Sequence, residues 1–528
     1  MPKTYYITTP IYYPNGEPHL GHVYTTLATD TIARYRRLAG DDVRFLTGTD
    51  EHGIKMVKTA EEKGITPEAL ATKNADVFRN LWKELNVTND DFIRTSEPRH
   101  KTGVQEIVRK LVASDDIYLG GYEGWYDEGQ EEFITETEAK TAEYKSVISG
   151  RPLVRYKEPS YFFRLSKWAP KVLEYIEQNP TFIQPDSRRN EVVSKLKIQL
   201  KEGFQDLSIS RATLKWGVEM PNDPAHVVYV WIDALSNYIT ALGYGEERHG
   251  GTEARRHEGQ HPALFQKYWP ADVHLIGKEI LWFHTVYWPA MLFALGLPAP
   301  KQVYAHGWWT SEGKKMSKTL GNFIDIDKIR EVNRTYGLDA LRFYTLRAAP
   351  FGADLDWKAA DLNTSYNELG NVVGNLLNRV INMTTRYRDA AIPAIGETDN
   401  AIDTDVVKAT EAFPADLAAA YDRLTLQQAA MLPVELARAA NGYIDVTTPF
   451  KMAKVPEQAK RLDTVLNLCA QAVYRSLVGL LPILPEKAKA GLEQLGVTVE
   501  GKTLAELMQP LPAGHKVGAN TPLFPKVV

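Results

Sequence analysis

The 528-residue chain is too long for a single hydrophobic core, so several domains are expected. With 44% hydrophobic and 24% charged residues and a net charge of −4, it reads as a folded chain without a global basic surface, so a polyanionic partner must be met by local patches. Its single cysteine, Cys469, excludes an intrachain disulfide, no apolar run is long enough to span a membrane, and the start MPKTYYITTPIYYP has no signal or transit pattern, so a cytoplasmic location with no membrane partner is expected.

Residues 4–13 (TYYITTPIYY) are β-branched and aromatic, which predicts a strand. From Gly21 to about Leu38 the pattern is helical and ends near Gly40. DDVRFLTGTDEHG supplies a second strand, Val43 to Leu46, with a polar loop at its carboxyl end, and 59–85 and 97–114 are predicted helical. This alternation argues for a doubly wound, Rossmann-like α/β domain, a parallel sheet with helices on both faces. The rhythm breaks near Ile117: residues 118–162 are rich in Gly, Tyr and Glu, 163–203 turn helical, and 204–225 read as loop. Residues 116–225 are therefore expected to be an insertion that splits the α/β domain into 1–115 and 226–325. The α/β pattern resumes with HVVYVWIDALSNYITAL and, after the polar GYGEERHGGTEARRHEGQ, continues through DVHLIGKEILWFHTVYWPAMLFAL and KQVYAHGWWTSEGKKMSKTLGN. Beyond a linker at 326–360, residues 361–528 read as an all-α bundle, with helices over 364–388, 402–420, 424–444 and 457–480.

Two motifs carry chemistry. In PNGEPHLGH, His19, Gly21 and His22 stand at a strand-to-helix turn. A helix N-terminus presents N–H groups and partial positive charge, so it suits phosphate, and the two histidines lie one turn apart, able to donate from one face. Alone, the pair reads as well as two ordinary surface or capping histidines, and the motif is weak. In KKMSKT, Lys315 and Lys318 lie three apart between Gly313 and Gly321, a cationic loop able to close on a triphosphate. Alone, it is also an ordinary solvated basic turn.

Together, HLGH near the start, KMSKT after the last strand and a helical bundle beyond resemble class I aminoacyl-tRNA synthetases, whose signatures are HIGH and KMSKS. TTPIYYPNGEPHLGH, FLTGTDEHG, VYVWIDALSNY, HLIGKEILWFHTVYWPAML and KKMSKTLGN resemble segments of the methionyl-tRNA synthetase family, in that family's order, over essentially the whole chain. The resemblance implies ATP, with Mg2+ travelling on its phosphates, as cosubstrate. His19, Gly21 and His22 would bind ATP, and Lys315, Ser317 and Lys318 would meet its phosphates. Gly277, Lys278 and Glu279 would line the nucleotide, with Glu279 near the ribose. It also implies a methionine pocket of Ile11, Tyr13, Trp231, Ala234, Leu235, Tyr238, Ile280 and His284, with Asp50 on the α-ammonium and Arg211 supporting Asp50. That residue mix suits a long, polarizable thioether, and one donor from His284 or Tyr238 would separate sulfur from methylene. Trp231 and Tyr238, at helical spacing, are on residue type alone ordinary core aromatics.

The implied partners are methionine and tRNA(Met), initiator and elongator. The family reads the anticodon with an Asn and an Arg on the first bundle helix and an aromatic after a Pro. Here these are Asn382, Arg386 and Phe450, with Phe where Trp is usual. On residue type alone Phe450 is a core residue at a helix start. Zinc-bearing members carry CxxC pairs in the insertion. This chain has Asp127 and Gln130 at one such pair and a single cysteine overall, so no zinc is expected, and a carboxylate–histidine metal site is only weakly signalled. The knuckle is expected to be packed by Tyr122, Trp125, Tyr126 and Phe133 instead, and His249, His257 and His261 are read as solvated. A monomer is expected. Synthetases for isoleucine, valine or leucine carry a much larger editing insertion. Intact HLGH and KMSKT argue against an inactive tRNA-binding relative, and the bundle argues against a small-molecule nucleotidyltransferase.

Overall fold

The computed structural model describes residues 2–527 except 128–131, 135, 246–261, 317–320, 397 and 399, and not the side chains of 122, 123, 132, 133, 137 and 156–158. Ser317, Lys318, Gln130, His249, His257 and His261 thus lie outside the described residues, as do the side chains of Tyr122 and Phe133.

In chain order the first elements are β1 (Thr4–Tyr12), α1 (Leu20–Leu38), β2 (Asp42–Thr49), α2 (Ile54–Glu62), α3 (Pro67–Glu84), β3 (Asp91–Arg94) and α4 (Pro98–Ala113). The predicted helix over 59–85 divides because Gly64 takes a positive φ of 65° and Thr66 caps α3, its hydroxyl accepting from Ala69 N–H at 3.2 Å. The next are β4 (Ile117–Asp127), β5 (Glu132–Ile134), α5 (Glu136–Thr141), β6 (Val154–Phe163), α6 (Leu165–Gln178), β7 (Ile183–Gln184), α7 (Asp186–Glu202) and the short β8 (Leu207–Ser208), β9 (Ser210–Arg211), β10 (Glu219–Met220) and β11 (Asp223–Val228). Then follow α8 (Val230–Thr240), α9 (Ala263–Tyr268), β12 (Val273–Gly277), α10 (Trp288–Ala294) and β13 (Val303–His306).

The chain divides into two compact units, one of residues 4–18 and 43–306, the other of 1–3, 19–42 and 307–528. The first is built on a six-stranded sheet of order β3-β2-β1-β12-β13-β7. The pairs β2·β3, β1·β12, β12·β13 and β13·β7 are parallel, with Ile7 opposite Val273 and Thr8 opposite His274. The strand order reverses between β1 and β12, as in a doubly wound sheet, and such a reversal opens a crevice at the carboxyl ends of the strands. β1 is buried from Tyr5 to Thr9 and at Tyr12, as suits an interior parallel strand. Helices α8 and α9 pack on β1, and α4 on α8.

Two sequence expectations change here. Residues 163–203, predicted helical, contain β7, which pairs with β13 at the sheet edge. Residues 204–225, predicted as loop, hold β8, β9 and β10 and the first residues of β11. β7 to β10 have two residues each, too short to show a period. The insertion carries a four-stranded sheet of order β5-β4-β6-β8, antiparallel throughout.

The second unit contains α1, a small sheet of order β15-β14-β16 formed by β14 (Trp309–Ser311), β15 (Lys314–Lys315) and β16 (Leu355–Trp357), and a helical array. Its helices are α11 (Ile326–Tyr336), α12 (Leu338–Arg347), α13 (Ala359–Leu369), α14 (Asn375–Arg388), α15 (Ala401–Asp422), α16 (Leu426–Thr447), α17 (Pro449–Met452), α18 (Ala459–Leu480), α19 (Pro485–Gln494) and α20 (Leu504–Leu507). A π-turn at Gly370–Gly374 separates α13 from α14. Within this unit α1 is bound to the bundle: Tyr35 stacks on Tyr421 at 3.8 Å, and fully buried Arg342 donates to Asp30 Oδ2 at 2.7 Å and to Ile483 O at 3.0 Å.

Candidate active site

HLGH builds the start of α1. His19 is the N-cap in extended conformation; its Nδ1 accepts from Gly21 N–H at 3.1 Å, and His22 Nδ1 accepts from His19 N–H at 3.3 Å. The two rings stack at 3.8 Å. Because a backbone N–H only donates, each Nδ1 is a lone-pair acceptor and each neutral ring carries its proton on Nε2, the donor form a phosphate oxygen needs. Burial, reinforced by neighbouring His19, holds His22 well below the usual histidine range, so its ring is neutral at pH 7. A Cβ on residue 21 would stand 3.0 Å from the His19 ring, so Gly21 is what lets the cap close.

In the same unit the segment that follows the KMSKT motif, Phe323 to Asp325, lies against this cap. Leu20 N–H donates to Ile324 O at 3.1 Å, His19 bridges Asp325, and Phe323 meets the His19 ring edge-on at 5.3 Å. At the loop's other end Lys315 sits exposed on the β14–β15 hairpin, whose Gly313 N–H donates to Asp356 Oδ1 at 2.9 Å. Asn322 Nδ2 reaches back to Lys315 O at 3.2 Å.

In the other unit, Ile11, Tyr13, Trp231, Leu235, Tyr238 and Ile280 share one apolar cluster. A Cβ on residue 48 would stand 2.0 Å from Ile93 O and 3.0 Å from Ile11 Cγ2, so glycine there is what seats Ile11. Trp231 stacks on Phe283 at 3.7 Å with planes 5° apart. Ala234 is buried beside them on α8. Tyr13 donates its hydroxyl to His52 O at 2.7 Å. Asp50 is buried, its N–H donating to Tyr12 O at 2.8 Å. Buried Arg211 donates to Ser210 O at 2.7 Å and lies 4.4 Å over the Tyr229 ring. After β12, Gly277 allows the Glu279 carboxylate to fold back, since a Cβ there would meet it at 2.4 Å; Lys278 begins the 3-10 turn between them.

Tyr238 and His284 are joined by a 2.7 Å hydrogen bond, and His284 Nδ1 lies 2.9 Å from Ile280 O. The carbonyl only accepts, so Nδ1 carries the imidazole proton and Nε2 accepts from the Tyr238 hydroxyl. Burial lowers His284 to about 4, which keeps this neutral tautomer at pH 7, and pushes the Tyr238 phenol up. Both donors expected for a thioether are thus engaged with protein acceptors. For the Tyr238 hydroxyl to donate elsewhere it must turn from His284.

Sequence reasoning missed His52, His100 and Asp233, which form a buried chain described below, and His274, whose Nδ1 lies 2.8 Å from Thr8 Oγ1 under the Tyr238 ring. The signal was present: Asp233 is an acid inside the apolar run VYVWIDAL.

In the helical unit Asn382 and Arg386 are exposed on α14. Asn382 Nδ2 donates to Asn378 Oδ1 at 2.6 Å. Phe450 is 46% exposed at the start of α17, after Thr448 with a positive φ of 47°. It is not a core residue, the alternative its residue type suggested. In the insertion, Trp125 donates to Glu136 Oε2 at 2.7 Å and packs on Tyr144, while Asp127 and Tyr126 are buried. Among the described residues no group of three or more His, Cys, Asp or Glu is placed to hold a metal ion.

A doubly wound sheet, a histidine-capped helix bound to the end of a KMSKT loop, and a helical bundle define a class I aminoacyl-tRNA synthetase. The model of the family tRNA synthetases class I (M) matches residues 5–143 and 137–381. The chain is 44% identical to the methionine–tRNA ligase of Bacillus subtilis over 99% of its own length and 78% of that protein, and 43% identical to that of Rickettsia conorii over the whole of both. Methionyl-tRNA synthetase of Mycobacterium tuberculosis in complex with methionyl-adenylate superposes with a TM-score of 0.90 at 36% identity, covering 99% of this chain and 100% of that one. The apo form of the same enzyme gives 0.84 at 35% identity, over 99% and 98% of the two chains. The chain belongs to the methionine–tRNA ligase family.

Proposed function

We propose that this chain activates methionine with ATP as methionyl-adenylate and transfers the methionyl group to the 3′ end of tRNA(Met), initiator and elongator alike. The observation that carries the reading is the reciprocal His19–His22 cap, its ring protons on Nε2, tied through Leu20 and Ile324 to the end of the KMSKT loop.

A methionine carboxylate oxygen attacks the α-phosphorus of ATP, and pyrophosphate leaves with the electrons of the broken bond. The terminal ribose hydroxyl of tRNA then attacks the acyl carbon, loses its proton and displaces AMP. Neither step uses an enzyme nucleophile, so catalysis is orientation and charge stabilisation. His19 and His22 donate to the phosphates, Gly21 keeps their cap closed, Lys315 and Lys318 neutralise charge on the leaving pyrophosphate, and Ser317 between them binds ATP through its hydroxyl. Gly277, Lys278 and Glu279 line the nucleotide. Magnesium enters with ATP, held by phosphates and water. Asp50, supported by Arg211, holds the α-ammonium. Ile11, Tyr13, Trp231, Ala234, Leu235, Ile280 and the Tyr238–His284 pair take the side chain, with the Tyr238 hydroxyl turning to sulfur. Asn382, Arg386 and Phe450 read the anticodon. No described helix is long and apolar enough to cross a membrane. The cytoplasm and a monomeric state complete the reading, without zinc.

Charging assays test it. A tRNA with a CAU anticodon should accept methionine, and the same tRNA with a changed anticodon should accept it far more slowly. Equal charging of both, or none of either, contradicts the reading.

A further inference from the structure

Asp233 is fully buried on α8, between Trp231 and Ala234. Its Oδ2 lies 2.7 Å from His52 Nδ1 and its Oδ1 lies 2.8 Å from His100 Nε2. His100 Nδ1 in turn lies 2.8 Å from Thr240 Oγ1, at the other end of the same helix. All four residues are at most 1% exposed. A carboxylate only accepts, so both histidines donate to it. The two imidazoles hold the Asp233 carboxyl down at about 2 against the burial that opposes its charge, so it is ionised at pH 7.

A buried carboxylate is costly, and apolar packing alone would join α4, α8 and the β2–α2 loop without one. What the network does is fix direction. His52 follows Asp50 by two residues. Between them Glu51 is held by Thr49 at 2.7 Å, by Arg94 Nε at 2.7 Å and by the Ser96 hydroxyl at 2.5 Å, and its carbonyl accepts from Trp216 Nε1 at 2.6 Å. The His52 carbonyl accepts from Tyr13. His52 Nε2 is buried without a hydrogen-bond partner among the described residues, an unsatisfied group that stability alone does not explain.

We propose that Asp233, with His52 and His100, is a positioning network that sets the Asp50 carboxylate in register with the side-chain pocket on α8. Asp50 meets the substrate ammonium, and Trp231, Ala234, Leu235 and Tyr238 on α8 meet the thioether arm. Asp233 ties the two supports together, so ammonium and side chain are held at a fixed spacing. This rests on the methionine-activation reading above.

The test compares ligands with and without the ammonium. In Asp233→Asn the amide cannot accept from both histidines. KM for methionine in pyrophosphate exchange should rise about 10- to 100-fold, the scale of a small misplacement, while KM for ATP holds. Inhibition by 4-(methylsulfanyl)butanoate, which lacks the ammonium, should be unchanged. His52→Asn, which keeps an N–H near the Nδ1 position, should recover most of what His52→Ala loses, and this pair decides alone if Asp233→Asn does not fold. Equal weakening of methionine and the deaminated analogue, or an unchanged methionine KM, overturns the positioning role. Absence of methionine-dependent exchange in the unaltered protein overturns instead the reading beneath it.

Discussion

On the proposed methionine side, Tyr238 and His284 are 1% and 2% exposed, joined to each other and tied into the core of the sheet unit. On the proposed anticodon side, Phe450 is 46% exposed, and Asn382 and Arg386 point to solvent from α14. The difference is what the sizes of the proposed ligands call for. A small apolar side chain is recognised only where water is excluded, so its recognisers also hold the core together. A splayed anticodon base brings its own stacking surface, so the residues that meet it stand exposed and contribute little to stability. Changes on the first side should therefore alter affinity and stability together, and changes on the second should alter recognition alone.

The largest effect should come from neither side. Lys318→Ala should slow pyrophosphate exchange about 10²–10³-fold, the scale for losing one preorganised charge donor, with methionine affinity retained. Single-turnover exchange and equilibrium methionine binding check both parts; a binding defect with normal chemistry would refute the assignment.

The buried side should also show in pH dependence. His284 is held at about 4 in the folded state against an ordinary 6.5, so the unfolded chain binds its proton first. Its contribution is complete above pH 6.5 and is lost as pH falls toward 4, about 3 kcal/mol over the window. Asp339, whose carboxyl burial pushes up to about 6, acts in the opposite sense, so the comparison must be wild type against His284→Gln. Denaturant unfolding across this range should show a smaller decline in the variant; parallel curves would break the account.

The two aromatic rings sharpen the contrast. Trp231→Ala removes the stack on Phe283, and should lower both methionine affinity and the melting temperature while relaxing discrimination against leucine and norleucine by about 1–3 kcal/mol. Phe450→Ala should cost about 1–3 kcal/mol in tRNA recognition while melting temperature and exchange stay unchanged, and Phe450→Trp should be tolerated. Thermal melts beside aminoacylation kinetics separate them: a large fall in stability from Phe450→Ala would place that ring with the core after all.

The smallest effect is expected from metal removal. The only cysteine, Cys469, is buried in α18, so the insertion has no thiolate to offer zinc. Elemental analysis should find no stoichiometric zinc, and chelation should leave the melting curve in place. About one zinc per chain would overturn this.

Much of this was legible in the sequence because it is local. The strand-to-helix turn at HLGH, the strand before it and the four long bundle helices follow from spacing and period alone. What stayed hidden is long-range. Ile183 and Gln184 leave the insertion to pair with β13, and two residues carry no alternation to read. Asp233 meets His52 and His100 across 181 and 133 residues, a pairing no window contains. The direction of the Tyr238–His284 hydrogen bond depends on one carbonyl, Ile280 O, whose position only the folded chain supplies.

Amino-acid-dependent ATP–pyrophosphate exchange, run with each of the standard amino acids in turn, tests the central claim most directly. Methionine alone should drive rapid exchange, with leucine and isoleucine far behind. Exchange driven as well by another amino acid, or no exchange with methionine, would contradict the account.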